Sequence, residues 1–350
     1  MWDFFLAAMR GHFIARTCHL IRMVVLCMMP VLLDGSVHAQ SPEEVHISPH
    51  QDTGKLASVV DAVPGHPALV VPFKPLHVDV NLVLVPVTVT DAMNRSVVSL
   101  KEQDFALSEE GKRQAIRYFS EEDAPLSIAV LFDVSKSMSD KISVEHDALV
   151  AFFNNANPQD EFFGIAFSYR PRLLAGPGES IDEIERRLVS TERGGATAML
   201  DAIHLAESKL RSARYQRHAI LIISDGGDNA SRYTLRETTN LIRESDVQIY
   251  AIGLFDTFFL HTLEEKLGKQ WLTKITDSTG GRTLTVDNGA KVPEAAAQIS
   301  REMRNQYVLG YQPSNPMAAG WKKIRVQVDS SAAEGPISIH YKKGYIASQQ

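Results

Sequence analysis

The sequence has very little cysteine. Among its 350 residues there are only two, Cys18 and Cys27, and both lie near the N-terminus. The rest of the chain needs no disulfide and cannot form a wrong one in an oxidising compartment. The chain also lacks an excess of one charge, since 36 basic and 42 acidic residues give a net charge of −6. We therefore expect no nucleic-acid partner, because there is no general basic field.

Several signatures of catalysis are also missing. The chain has no phosphate-binding GxxxxGK[ST] loop, no GxSxG elbow, no HExxH pair and no DxD after a strand. We find no general base next to the motif described below, so hydrolysis has no obvious proton path. The prediction is that the protein is not an enzyme and has no catalytic residue, with a metal-assisted hydrolase as the minor alternative.

The N-terminus has the pattern of an export signal. Three arginines precede an apolar run from Met23 to Leu33, and the small-residue stretch "SVHA" ends at Ala39. We interpret residues 1–39 as a signal peptide that is cleaved after Ala39. A single membrane anchor is the alternative, but the run is short for a bilayer, which needs about 20 residues. We expect a secreted, periplasmic or cell-surface protein without stable membrane insertion after cleavage.

The remaining chain changes its pattern twice. Proline, histidine, serine and aspartate without periodicity predict a flexible linker, and alternating apolar and polar residues then predict strands. From "LSIAVLFD" onward, buried strands alternate with helices, which indicates a doubly wound, mainly parallel sheet with helices on both faces. The tail returns to strands, and we expect the two flanking segments to pair into a small β-sandwich. The predicted boundaries are linker 40–77, N-terminal β segment 78–124, α/β domain 125–305 and C-terminal β segment 306–350.

Oxygen-bearing side chains follow several of the predicted strands. The stretch "AVLFDVSKSMSD" ends an apolar strand at Asp133 and continues with Ser135 and Ser137. Asp225 ends another strand, and Thr197 follows a glycine pair just before a helix. Ligands bind at the carboxyl ends of strands in doubly wound folds. A carboxylate with hydroxyls suits a hard cation such as Mg²⁺ or Mn²⁺ better than zinc.

The order of these motifs resembles the metal-ion-dependent adhesion site of von Willebrand factor type A domains. In both, D-x-S-x-S comes first, a glycine-rich threonine loop follows, and a strand that ends in S-D-G comes last. The whole of 78–346 is similar to a bacterial secreted family containing that domain, through "VPVTVTD", "DFALSEEG", "YVLGYQP" and "KKGY". The resemblance implies that Mg²⁺, or else Mn²⁺ or Ca²⁺, is bound by five residues. These are Asp133, Ser135, Ser137, Thr197 and Asp225.

The resemblance also implies a function. A cation held by few protein charges stays electrophilic, so an Asp or Glu carboxylate of a partner protein can complete its coordination. We expect a metal-dependent adhesion or protein-binding module. The alternative is a scaffold whose metal site only stabilises the fold. Asp228 and Asn229, next in the "DGGDN" loop, are either ligands of a second cation or parts of a solvated turn.

Overall fold

A computed structural model of the chain describes residues 82–255, 263–315, 319–329 and 335–347. The predicted signal peptide and linker lie outside these described residues. Within the described ranges, no helix combines the length and apolarity that a membrane span requires.

The α/β domain is built on a six-stranded sheet within the described part of the chain, in the order β10-β9-β8-β5-β6-β7. All neighbouring pairs are parallel except β6 with the edge strand β7. Every residue of β5 and of β9 is buried, as expected for continuous apolar runs covered on both faces. The strands are β5 Ser127–Asp133, β6 Glu161–Phe167, β7 Pro171–Ala175, β8 His218–Ser224, β9 Val247–Leu254 and β10 Thr283–Val286.

Six helices in the described ranges cover the two faces of this sheet. One apolar core joins the sheet to α1, α2 and α6, and a second core joins it to α3, α4 and α5. The doubly wound α/β fold predicted from the sequence is thus confirmed. The helices are α1 Ile142–Phe153, α2 Ile181–Val189, α3 Met199–Leu210, α4 Leu235–Glu244, α5 Leu263–Thr279 and α6 Val292–Arg304.

The flanking strands form two antiparallel sheets that pack face to face. One has the order β13-β1-β11-β4 and the other β14-β12-β2-β3, so each combines N-terminal and C-terminal strands. Their inner faces share one apolar core, which confirms the predicted sandwich. The strands are β1 Val83–Asp91, β2 Phe105–Glu109, β3 Lys112–Gln114, β4 Ile116–Glu122, β11 Gln306–Tyr311, β12 Gly320–Val328, β13 Ile337–Tyr341 and β14 Gly344–Ala347.

Arginine side chains join the α/β domain to the sandwich. Arg282 forms a buried ion pair with Glu302 of α6 and donates a 2.8 Å hydrogen bond to the side chain of Asn94, in the turn after β1. The guanidinium of Arg217 donates to the carbonyl of Ala124 at 2.8 Å and to the side chain of Gln306, the first residue of β11, at 3.0 Å. These contacts fix the inserted domain against the strands that flank it.

Candidate metal centre

The predicted ligands lie on three loops at one edge of the sheet. Asp133 is the last residue of β5, and Asp225 directly follows β8, the strand beside β5. Because the two strands are parallel, their carboxyl ends meet at the same edge. Ser135 and Ser137 follow in the loop before α1, and Thr197 lies just before α3.

Asp133 is fully buried and both of its carboxylate oxygens are engaged. One accepts a hydrogen bond from the backbone N–H of Ser135 at 3.0 Å, and the other accepts from the hydroxyl of Ser224. Burial raises the pKa of Asp133 to about 6, and the negative charge of Asp225 contributes further to the rise. Ser224, the last residue of β8, was not among the predicted site residues, yet it ties the two strand ends together.

The two serines of the D-x-S-x-S motif lie together. Their hydroxyl oxygens are 3.2 Å apart. Ser135 is only 1% exposed, whereas Ser137 lies at the surface. One hydroxyl of the pair is thus packed into the loop and the other faces solvent, where a ligand from outside could approach.

The threonine loop is bonded to the D-x-S-x-S loop through its glycines. The N–H of Gly194 donates to the carbonyl of Val134 at 2.8 Å, and the N–H of Lys136 donates to the carbonyl of Gly195 at 3.2 Å. Both glycines have positive φ, 130° and 83°, which other residues rarely adopt. The glycine pair therefore lets the loop that carries Thr197 lie directly against the loop after Asp133.

The backbone of Thr197 is also hydrogen-bonded to the loop after β8. Its N–H donates to the side-chain oxygen of Asn229 at 2.8 Å, and its carbonyl accepts from the N–H groups of Asn229 and Ala230, both at 3.0 Å. The carboxylate of Asp228 accepts from the N–H of Leu200, in the first turn of α3, at 2.8 Å. Asp228 and Asn229 thus join the loop after β8 to the threonine loop and to α3. The sequence had left two roles open for these residues, ligands of a second cation or parts of a solvated turn.

The side chains present fit a hard divalent cation. Within the described ranges, no group of three or more His, Cys, Asp or Glu side chains could hold a metal. The predicted set instead combines two carboxylates with three hydroxyls, which are ligands that Mg²⁺ accepts while it keeps several waters. The charge of Asp225 contributes to the raised pKa of Asp133, and a positive ion between them would oppose that effect.

A buried ion pair lies behind the threonine loop. The Nη2 atom of Arg193 is 2.7 Å from Oε2 of Glu145 on α1, and the two side chains are 7% and 0% exposed. Burial raises the pKa of Glu145, and the charge of Arg193 opposes that rise. Arg193 directly precedes Gly194, so the pair holds the start of the threonine loop against α1. Sequence reasoning identified neither residue.

Comparison with known proteins places this region in a family. The family model of the von Willebrand factor type A domain matches residues 128–227. No curated protein matches the chain. A solved von Willebrand factor type A protein from Catenulispora acidiphila is 12% identical, with a TM-score of 0.45, and the match covers 70% of this chain and 72% of that one.

Two further solved structures are similar over a shorter part of this chain. Proximal thread matrix protein 1 of the mussel byssus, described with a zinc-occupied MIDAS motif, is 20% identical with a TM-score of 0.41 over 56% of this chain and 49% of that one. An aerotolerance-related membrane protein from Bacteroides fragilis is 18% identical with a TM-score of 0.41, over 51% of this chain and 98% of that one. Similarity at this level does not say what the chain binds. The family match covers all five predicted ligands, and the chain accordingly contains a von Willebrand factor type A domain.

Proposed function

We propose that the chain is an exported protein-binding or adhesion module. A divalent cation, Mg²⁺ in the first place, would be held by Asp133, Ser135, Ser137, Thr197 and Asp225. A partner protein would supply an Asp or Glu carboxylate to the cation. The observation that carries this proposal is the direct bonding of the three loops, which brings two acidic and three hydroxyl side chains to one edge of the sheet. Export rests on the pattern of residues 1–39.

Each predicted ligand has a distinct role in this proposal. Asp133 is held in place by Ser224 and the N–H of Ser135, so its charge is fixed at the end of β5. The three hydroxyls supply neutral oxygen ligands. Asp225 adds the second negative charge, so the protein gives the cation only two charges. A site that binds a cation with so few charges leaves it able to attract a further carboxylate.

Binding is favoured over catalysis because the buried carboxylates near the site are already occupied. Asp133 accepts two hydrogen bonds, and Glu145 is paired with Arg193. A general base has to be free to accept a proton from a reacting group. In this proposal Asp133 binds the cation and Glu145 stays paired with Arg193, so neither carboxylate is free to act as a base.

The test begins with the cation. The chain from residue 40 onward is titrated with Mg²⁺ by calorimetry, together with Asp133→Ala and with Asp140→Ala, which alters an exposed aspartate in the neighbouring turn. We expect Mg²⁺ binding in the natural chain and in Asp140→Ala, and none in Asp133→Ala. Mg²⁺ at 100 times its Kd would raise the free energy of unfolding by about 2.7 kcal/mol. Equal affinity in all three proteins would remove the metal centre from the proposal.

The carboxylate ligand is tested next, with a Gly-Ser decapeptide that carries a single Asp and a matched peptide that carries Asn. We expect the Asp peptide to bind only with Mg²⁺ present and the Asn peptide not to bind. Mg²⁺ binding without Asp-peptide binding would instead indicate a metal that only stabilises the fold. Mg²⁺-dependent hydrolysis of a phosphate ester, absent in Asp133→Ala, would indicate the hydrolase.

A further inference from the structure

An open groove lies next to the candidate metal centre. It has a volume of about 480 Å³, and one wall is the β6–β7 turn while the other is the stretch 191–195 that leads into the threonine loop. Val134, which lies between Asp133 and Ser135, also lines it. A partner segment that extends from the metal centre on this side would therefore contact the groove.

The groove carries an aromatic ring and two exposed arginines. Tyr169 is 64% exposed, and the guanidinium of Arg170 lies 5.9 Å from the centre of its ring. The Nη2 atom of Arg172 donates to the hydroxyl of Thr191 at 3.1 Å, which fixes its direction. Tyrosine and arginine are among the residue types that contribute most to binding energy at protein interfaces. Their exposure beside a predicted ligand site indicates a contact surface.

The charge of the groove is positive among its described lining residues. Its exposed charged residues are Arg170, Arg172 and one acid, Glu192, while the third arginine, Arg193, is buried against Glu145. In the candidate metal centre beside it, the two carboxylates would only neutralise a divalent cation, which would still attract a further carboxylate. The two neighbouring surfaces therefore attract the same kind of ligand.

The groove is held in a fixed position relative to the metal centre. The N–H of Val134 donates to the carbonyl of Phe167 at 2.8 Å, and the N–H of Ala198 donates to the carbonyl of Ser168 at 2.7 Å. The β6 end of the turn is thus bonded to two of the loops that carry predicted ligands. A surface fixed in advance loses less conformational entropy on binding.

We propose that this groove receives a second acidic side chain of the partner segment whose first carboxylate reaches the cation. This proposal rests on the proposed function. Arg170 and Arg172 bind the second carboxylate, and Tyr169 packs against the segment between the two acidic residues. The partner is thus an extended segment with paired acidic residues, and the groove selects it over segments with one acidic residue.

The proposal is tested with peptides of defined sequence. The single-Asp Gly-Ser peptide is compared with four peptides in which a Glu is added one to four residues after the Asp, all in Mg²⁺. We measure the ratio of their affinities by fluorescence anisotropy. In the natural chain, the best-spaced Glu should tighten binding by about fivefold, the range expected of an exposed ion pair. The gain should shrink at high salt, because exposed charges are screened.

The variant is Arg170→Glu/Arg172→Glu, and the control is Arg113→Glu on β3 of the sandwich, where the arginine is also exposed. We expect the affinity ratio to fall to about one in the double variant and to stay unchanged in the control. An increase in unfolding free energy on adding Mg²⁺ verifies that the double variant is folded. If it is not folded, Arg170→Gln/Arg172→Gln is used in its place.

The outcomes separate this inference from the function on which it rests. If the single-Asp peptide binds in a Mg²⁺-dependent way but an added Glu at any spacing brings no gain, the groove proposal is overturned and the metal centre stands. A gain that survives the double variant also overturns it. If no peptide responds to Mg²⁺, both proposals fail together.

Discussion

The buried pair of Glu145 and Arg193 allows a quantitative test of how the threonine loop is held. Replacing Arg193 with Met keeps most of the side-chain volume but leaves the carboxylate of Glu145 buried without its partner 2.7 Å away. Breaking a buried pair in this way costs about 3–5 kcal/mol. That cost applies only where Glu145 is ionised, and burial raises its pKa to about 8 even beside Arg193, so both folded proteins keep the proton at pH 7. At pH 9.5, about 1.5 pH units above that pKa, we expect a loss of about 2 kcal/mol, since each unit corresponds to about 1.4 kcal/mol.

The sign of the pH dependence follows from the same reasoning. Burial raises the pKa of Glu145, and removing Arg193 removes an influence that lowers it. Both folded proteins keep this proton up to about pH 8, whereas the unfolded chain releases it above pH 4.5, so both lose stability alike as the pH rises to 8. Above pH 8 the natural chain ionises Glu145 beside Arg193 and this loss stops, whereas it continues in the variant. The difference in unfolding free energy between Arg193→Met and the natural chain should accordingly be small at pH 7 and grow above pH 8.

The assay is urea unfolding at pH 7 and pH 9.5 in the presence of a chelator, so that loss of a bound cation does not contribute. Lys291→Met is the matched control, because it breaks an exposed pair with Asp287 and should cost less than about 1 kcal/mol. In Glu145→Leu/Arg193→Met both side chains are replaced by apolar ones, and stability should return to within about 1 kcal/mol of the natural chain. A loss below about 1 kcal/mol in Arg193→Met at pH 9.5, or the same loss at both pH values, would refute the reasoning.

Three further changes test other parts of the structure. Gly226→Ala would place a Cβ 2.7 Å from the backbone carbon of Gly268, at a φ of 80°. We expect the free energy of unfolding to fall by about 2 kcal/mol or more and Mg²⁺ binding to weaken. The control is Gly178→Ala, which has a φ of 85° and open space around the new Cβ, and which should lose stability but keep its Mg²⁺ affinity. Calorimetry with Mg²⁺ separates the two, and equal affinities would contradict the prediction. Asp228→Ala removes the hydrogen bond to the N–H of Leu200 in the first turn of α3, and the free energy of unfolding in urea should fall by about 1 kcal/mol. An unchanged unfolding free energy would contradict this prediction. Burial lowers the pKa of His340 to about 4, so the stability it contributes is complete above pH 6.5 and is lost as the pH falls toward 4. The full shift corresponds to about 3.4 kcal/mol, and we expect His340→Gln to lessen the fall by about 2 kcal/mol because the ring is partly exposed to solvent. An unchanged pH profile would count against the role of this histidine.

The sequence predicts the fold well where a pattern is local. The run from Ile128 to Phe132 is apolar throughout, and a strand buried on both faces needs that composition. The two β segments alternate at the period of a half-buried strand, so their sheet character could be predicted too. In contrast, the edge strand β7 has only five residues and begins with proline, and we did not predict it. It forms because β6 offers a free edge.

The parts of the site that could not be predicted depend on long-range contacts. Ser224 resembles any serine at a strand end, and its bond to Asp133 joins residues 91 positions apart. Glu145 lies among polar residues of α1 and has the sequence pattern of a surface acid. It is buried because Arg193 reaches it from another loop. A single sequence carries no local signal for either contact.

The insertion of the α/β domain between the two halves of the sandwich has a consequence for chain synthesis. Among the described strands, β1 pairs with β11 and β13, which leave the ribosome more than 200 residues later. Until then its apolar face is uncovered and both of its edges are unpaired, which is the state most prone to aggregation. A truncated chain that stops inside the inserted domain can never complete either sheet. Such fragments should precipitate or be degraded rather than accumulate as a folded half-molecule.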